Sequence, residues 1–182
     1  MHRQKVLKLL DNYKTPFMEE MAMVQRAQQF AELHPNCFDR IDEGHFTGSA
    51  WVLNPARTHT MMLLHAKLNM WLQPGGHADG DSDITRVVMK EVSEESGVDI
   101  KNIHLINEQI FDIDIHTIPA NQYDPRHQHF DIRFLVEIDD ALDIPGNHES
   151  HQIGWVPLEQ VPQFNNARSF YRMLQKTRQI RN

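Results

Sequence analysis

The sequence has few of the features that mark secreted, membrane-spanning or nucleic-acid-binding proteins. Its single cysteine, Cys37, excludes an intramolecular disulfide and favours a reducing compartment. No apolar run approaches the roughly 20 residues of a membrane span, and no signal-peptide core is visible. Positive charge is also scarce, and a formal net charge of −7 disfavours binding to a long nucleic acid. We therefore expect a cytoplasmic protein that acts on a small molecule and contacts no membrane.

The length and composition fit one folded domain with an extension. The chain has 182 residues and is 40% hydrophobic, which is enough for a packed core and argues against disorder. Residues 1–40 are predicted to form a helical extension, with Thr15 as N-cap and Pro16 as the first residue of the second helix. The extension is expected to serve packing or formation of a homodimer. Residues 41–182 are predicted to form the main domain.

The main domain shows strands interrupted by two helices. Apolar runs with turn residues between them begin near His45 and resume after residue 102. A helix is predicted from about Ile84 to Ser96, with Ser82 or Asp83 as N-cap and Gly97 at its C-terminal end. A second amphipathic helix is predicted near the C-terminus. This order predicts an α/β fold with a mixed sheet and a helix on each face.

Three carboxylates follow each other on the helix that ends at Gly97. Glu91, Glu94 and Glu95 are spaced i, i+3, i+4, so their side chains emerge on one face, where like charges repel. The C-terminal turn is also the end where the helix dipole disfavours anions. The spacing alone leaves two readings open, a solvated acidic face or a site for a divalent cation. The glycine turn before the helix favours the cation site.

The segment from the glycine turn to the end of this helix resembles the Nudix box, G-x5-E-x7-R-E-U-x-E-E-x-G-U, where U is aliphatic. Seven positions are in register: Gly76, Glu91, Val92, Glu94, Glu95, Gly97 and Val98. Two positions depart from the pattern, because Ser82 replaces a glutamate and Lys90 replaces an arginine. We interpret them as a substituted supporting pair, although lysine lacks the forked geometry of guanidinium.

The resemblance implies a Nudix-type α/β/α sandwich that hydrolyses a diphosphate bond in a nucleoside diphosphate linked to another moiety. It implies that Glu91, Glu94, Glu95 and the carbonyl of Gly75 hold Mg²⁺ or Mn²⁺. All three glutamates are candidate catalytic residues, together with Glu149, and the sequence leaves open whether Glu91 or Glu149 is the general base. The alternatives are a Nudix-fold ligand-binding or sensor module with little activity, and a small metal-binding protein built around the histidines.

Histidines form the second notable group, since the chain contains 12. Two runs, FDIDIH and HQHFDIRFLV, place polar residues on one face of each of two strands. A hairpin that pairs His116 with His127 would gather them, and the face could be solvated, bind substrate or bind a second metal such as zinc. We expect the histidines to titrate between about pH 5.5 and 7.5. The candidate substrate contacts are His77, His116, Arg126, His127 and His129.

Overall fold

The computed structural model describes residues 2–120, 122 and 125–180, and it shows helices combined with one sheet. The helices are α1 (Gln4–Asn12), α2 (Met18–Leu33), α3 (Ile84–Ser96), α4 (Val161–Phe164) and α5 (Arg168–Ile180). The strands are β1 (Gly44–Leu53), β2 (His59–His65), β3 (Met70–Leu72), β4 (Gly75–His77), β5 (His104–Leu105), β6 (Asp112–Ile118), β7 (His127–Glu137) and β8 (Ser150–Pro157). The predicted α/β class with a mixed sheet and an N-terminal helical segment is confirmed. No helix among the described residues is both long enough and apolar enough to cross a bilayer.

The chain divides into two compact units. The first unit comprises Met1–Gly48, Gly76–Val88 and Glu108–Phe134. It contains α1, α2 and β6, together with the N-terminal parts of β1, α3 and β7. Helix α2 packs on β6, so the N-terminal helices share this unit with part of the sheet. The predicted domain boundary near residue 40 stays a prediction.

The second unit comprises Ser49–Gly75, Met89–Asn107 and Leu135–Asn182. Here β2 pairs antiparallel with β3 and β8. The indole of Trp51 is fully buried and donates a hydrogen bond from Nε1 to Oγ1 of Thr177 on α5 at 2.9 Å. Trp51 is therefore part of the packed core of this unit.

Helix α2 begins later than predicted. Thr15 and Pro16 precede it, and the N-cap is Phe17, whose backbone is extended. The late start of α2 follows from the contacts of Glu20. This residue is fully buried and accepts hydrogen bonds from the hydroxyls of Tyr13 and Thr15. Because Thr15 Oγ1 also accepts from Phe17 N at 3.2 Å, these residues close a turn before the first helical residue.

Helix α3 has the predicted bounds, Ile84–Ser96. At its start, Asp83 Oδ1 accepts from the backbone N–H of Arg86 at 3.3 Å, as an N-cap residue does. At its end, Gly97 adopts φ +76°, which an L side chain rarely adopts. A Cβ there would also lie 2.6 Å from Cγ of Pro145, so glycine is needed both for conformation and for space.

Candidate active site and histidine cluster

The three carboxylates of α3 lie in the second unit and differ in exposure. Glu95 is 4% exposed, and its Oε2 accepts a hydrogen bond from the backbone N–H of Gly75 at 2.8 Å. Glu91 is half-buried, and Glu94 is exposed. The glycine turn and the acid face are therefore in direct contact through Glu95.

The acid face carries an excess of negative charge. Burial raises the pKa of Glu95 to about 8, and repulsion from Glu91, Glu149 and Glu94 adds to this effect, while the hydrogen bond from Gly75 opposes it. Burial also raises the pKa of Glu91, against the attraction of Lys90. A buried carboxylate among other carboxylates is unfavourable unless a cation joins them.

Lys90, which stands where the family has arginine, is bound to the same acids. Its Nζ lies 3.4 Å from Oε1 of Glu91 and 3.2 Å from Oε2 of Glu94. Ser82 lies half-buried in the loop before α3. Lys90 therefore neutralises part of the exposed side of the acid face, a contact that the sequence pattern did not predict.

Glu149 lies in an exposed turn directly before β8, which begins at Ser150. The turn is fixed by two hydrogen bonds: the carbonyl of Glu149 accepts from Ala66 N at 2.9 Å, and its N–H donates to Asn147 Oδ1 at 2.8 Å. Its charge contributes to the raised pKa values of both Glu91 and Glu95. The structure thus places Glu149 within electrostatic range of the α3 carboxylates.

These residues fit a hard divalent cation. The donors on hand are carboxylate oxygens and the backbone of Gly75, which are the ligand types that Mg²⁺, Mn²⁺ and Ca²⁺ prefer. The near-complete burial of Glu95 among like charges is the observation that supports the fit, since a cation would remove the repulsion.

The metal-free protein should become more stable when Glu95 is neutralised. The pKa of Glu95 rises from 4.5 to about 8 on folding, so the folded state favours the protonated carboxyl. The stability that this protonated group contributes is lost as the pH rises through this interval. Glu95→Gln keeps an acceptor for Gly75 N, and we expect it to raise the free energy of unfolding at pH 8 by about 2 kcal/mol. The gain should vanish near pH 4.5. Urea unfolding in chelator at pH 8 and pH 4.5 measures the difference in the free energy of unfolding between Glu95→Gln and the wild type. An equal difference at both pH values would contradict the prediction.

The β6–β7 hairpin forms in the first unit with a different register from the one predicted. His116 pairs with His129, and Ile118 pairs with His127, whereas the sequence analysis paired His116 with His127. The shift is two residues, so the polar residues still share one face of the pair.

The carboxylates of this face form a buried ion network and not a solvated surface. Arg133 is 3% exposed, and its guanidinium contacts Asp131 at 2.7 Å, Asp112 at 3.3 Å and Asp114 at 3.4 Å. Asp131 also accepts a hydrogen bond from Oγ1 of Thr47 at 3.1 Å. Arg133 therefore joins the two strands.

The histidines of the same hairpin belong to a cluster that includes a residue the sequence analysis missed. His45, at the start of β1, lies with its ring centroid 4.6 Å from that of His129 and 5.1 Å from those of His77 and His127. His116 is exposed and lies 5.3 Å from His129. We call His45, His77, His116, His127 and His129 the histidine cluster. The signal that could have found His45 is its place at the start of the most buried strand, where a histidine is unusual.

Burial keeps the central imidazoles of the cluster neutral. It lowers the pKa of His129 to about 2 and that of His45 to about 4, and the neighbouring imidazoles add to both shifts. The expectation that His129 titrates between about pH 5.5 and 7.5 is therefore wrong, because desolvation opposes its charged form. Arg126 is exposed in the bend directly before β7. The predicted substrate contacts of Arg126 and the histidines stay predictions.

The sequence model of the NUDIX domain matches residues 45–176. The chain therefore belongs to the NUDIX domain family, and the match confirms the predicted class, a Nudix-type pyrophosphohydrolase. Enzymes of this family generally need divalent metal ions. No curated protein matches the chain with significance.

Solved structures with the same fold include several of this family. A Caenorhabditis elegans Ap4A hydrolase complex has a TM-score of 0.59 and 16% identity, over 74% of this chain and 96% of that one. The Escherichia coli dihydroneopterin triphosphate pyrophosphohydrolase has a TM-score of 0.57 and 15% identity, over 74% and 92%. The NUDIX domain of Shewanella oneidensis NrtR, complexed with ADP ribose, has a TM-score of 0.52 and 14% identity, over 86% and 98%. At these identities the likeness shows the fold alone.

Proposed function

We propose that this protein hydrolyses a diphosphate bond in a nucleoside diphosphate linked to another moiety, in a reaction that requires Mg²⁺ or Mn²⁺. The observation that carries the proposal is the contact of buried Glu95 with Gly75, which joins the glycine turn of the Nudix box to its acid face. The carboxylates gathered there are suited to a cation that binds phosphate, and such a cation would screen an anionic substrate from their negative charge.

Glu91, Glu94, Glu95 and the carbonyl of Gly75 would hold the ion. When bound, a divalent ion neutralises charge on phosphate oxygens and lowers the pKa of a coordinated water. The protein's own contribution is to fix the carboxylates: the N–H of Gly75 holds Oε2 of Glu95, and Lys90 restrains Glu91 and Glu94. A ligand set that is positioned before substrate arrives loses less conformational freedom on binding.

A general base must orient or deprotonate the attacking water, and two residues are candidates. Glu91 is half-buried next to Lys90, and Glu149 is exposed in the turn before β8. Both are within electrostatic range of Glu95. Comparing the pH dependence of kcat in Glu91→Gln and Glu149→Gln would separate them, since the acidic limb, where kcat rises as the base loses its proton, should be lost from the variant that lacks the base.

The substrate class is supported by the names of structurally similar proteins. These proteins act on Ap4A or dihydroneopterin triphosphate, or bind ADP ribose, and all three ligands contain linked phosphates. A panel of nucleoside diphosphate derivatives with Mg²⁺ and Mn²⁺, assayed for phosphate-containing products, tests the proposal. Binding of a panel member without turnover would instead support a sensor module, the reading that the changes at Ser82 and Lys90 favour.

Restoring the family residues at these two positions should preserve or raise activity. We expect the double change Ser82→Glu with Lys90→Arg to match or exceed the wild-type kcat, because Arg can form paired bonds with a carboxylate that Lys cannot. Each single change should help less if the two positions are coupled. A double-mutant cycle on kcat/KM measures the coupling, and strictly additive effects would count against a supporting pair.

A further inference from the structure

The core of the histidine cluster has the arrangement of a metal centre. We propose that His45, His77 and His129 bind a transition-metal ion of the Zn²⁺ type through their ring nitrogens. One ring nitrogen from each residue can be chosen so that all three lie within 4.8 Å of one another. These ligands are separate from the carboxylates of α3, so the proposal stands independently of the phosphate-binding metal.

His45 is the strongest evidence for a ligand. It is 2% exposed, and neither of its ring nitrogens has a hydrogen-bond partner among the residues that the structure describes. A neutral imidazole has one N–H donor and one acceptor nitrogen. Leaving a buried polar group unsatisfied costs about 1–3 kcal/mol, so a buried histidine usually has a partner. An ion coordinated by one nitrogen of His45 would supply it.

His127 lies next to His129, outside the group of three whose ring nitrogens come within 4.8 Å of one another. Its Nδ1 lies 2.8 Å from the carbonyl oxygen of Pro125, which can only accept, so Nδ1 carries the proton and Nε2 has a free lone pair. This Nε2 lies 3.3 Å from Nε2 of His129. Two imidazole nitrogens on one tetrahedral Zn²⁺ lie about 3.3 Å apart, because each Zn–N bond is about 2.05 Å. In zinc-bound histidines the second ring nitrogen usually donates a hydrogen bond to a carboxylate, a backbone carbonyl or water, which fixes the orientation of the ring.

The donor set selects a nitrogen-binding metal. The carboxylates on the same strands have other partners: Asp131 contacts Arg133 at 2.7 Å, and Asp114 contacts Arg133 and His116, each at 3.4 Å. The ligands left to an ion are imidazoles, which suit Zn²⁺, Co²⁺, Ni²⁺ and Cu²⁺ far better than Mg²⁺ or Ca²⁺.

The test is Zn²⁺ binding by the demetallated full chain in excess Mg²⁺, which occupies oxygen ligands without displacing Zn²⁺ from imidazoles. We expect one Zn²⁺ per chain by equilibrium dialysis, and visible absorption bands of Co²⁺ that Zn²⁺ abolishes. His129→Ala and His77→Ala should each weaken Zn²⁺ binding by about 100-fold or more. The control is His104→Ala, which removes an exposed histidine on β5 and should leave binding unchanged.

Two further measurements distinguish a missing zinc site from a failure of the hydrolase proposal and from misfolding of a variant. Binding is also measured in Glu95→Gln, where the cluster is intact and Zn²⁺ should bind as in the wild type. If His129→Ala fails to fold by circular dichroism, the half-buried His77→Ala decides the outcome. Wild-type protein that binds no Zn²⁺ in excess Mg²⁺ would overturn the proposal. Unchanged affinity in folded His77→Ala would overturn it as well, whether or not the protein hydrolyses diphosphates.

Discussion

Glu94→Gln and Glu95→Gln should each lower kcat by about 10²–10³-fold while the protein stays folded. Either change removes a negative oxygen ligand from the acid face, and the amide that replaces it cannot balance the charge of a divalent ion. Steady-state kinetics with a substrate from the panel measures the loss. The matched control is Glu159→Gln, which neutralises an exposed carboxylate elsewhere in the same unit and should leave kcat unchanged.

The two active-site variants should differ in stability. Glu95 is 4% exposed whereas Glu94 is exposed and bound to Lys90 at 3.2 Å, so only Glu95→Gln relieves a buried repulsion. If Glu95→Gln loses activity but is more stable than the wild type without metal, then Glu95 serves ion binding at a cost to stability. Full activity in both variants would refute a role for the acid face.

Arg133→Met should have the largest effect on stability, a loss of about 3–5 kcal/mol in the free energy of unfolding. Methionine fills similar space but leaves Asp112 and Asp131 buried without their cation. Urea unfolding measures the loss. The control in the same unit is Arg126→Met, because Arg126 is exposed and should contribute less than about 0.5 kcal/mol to stability.

A second set of variants tests whether the loss comes from the buried charges. Adding Asp112→Asn and Asp131→Asn to Arg133→Met should recover part of the lost stability, since the unpaired carboxylates are then neutral. The contrary result is a triple variant that is less stable than Arg133→Met by as much as the two Asp→Asn changes cost in the wild-type protein. The ion network would then not be the source of the stability lost in Arg133→Met. In that case the packing of the arginine side chain would explain the loss.

Much of the proposed active site was predictable because its residues are close in sequence. The bounds of α3, its N-cap Asp83 and its end at Gly97 follow from local capping rules and from the spacing of the Nudix box. The contact of Glu95 with Gly75 spans only 20 residues and lies within the same motif, although the sequence did not predict this hydrogen bond.

The histidine cluster was less predictable because it depends on strand register and on residues far apart in the chain. The pairing of His116 with His129 depends on the register of β6 and β7, which residue alternation does not specify. The alternation still predicted which residues share a face, because the error was two residues. His45 belongs to no local motif, and only the three-dimensional fold brings it to His129.

The most direct test of the central claim compares wild-type protein with Glu95→Gln in one assay of diphosphate cleavage. Each protein is incubated with the nucleoside diphosphate panel in Mg²⁺, in Mn²⁺ and in excess chelator, and the released phosphate products are quantified. We predict product from at least one panel member with wild-type protein and metal, about 10²–10³-fold less with Glu95→Gln, and none in chelator. Wild-type turnover that persists in chelator, or that Glu95→Gln retains in full, would contradict the account.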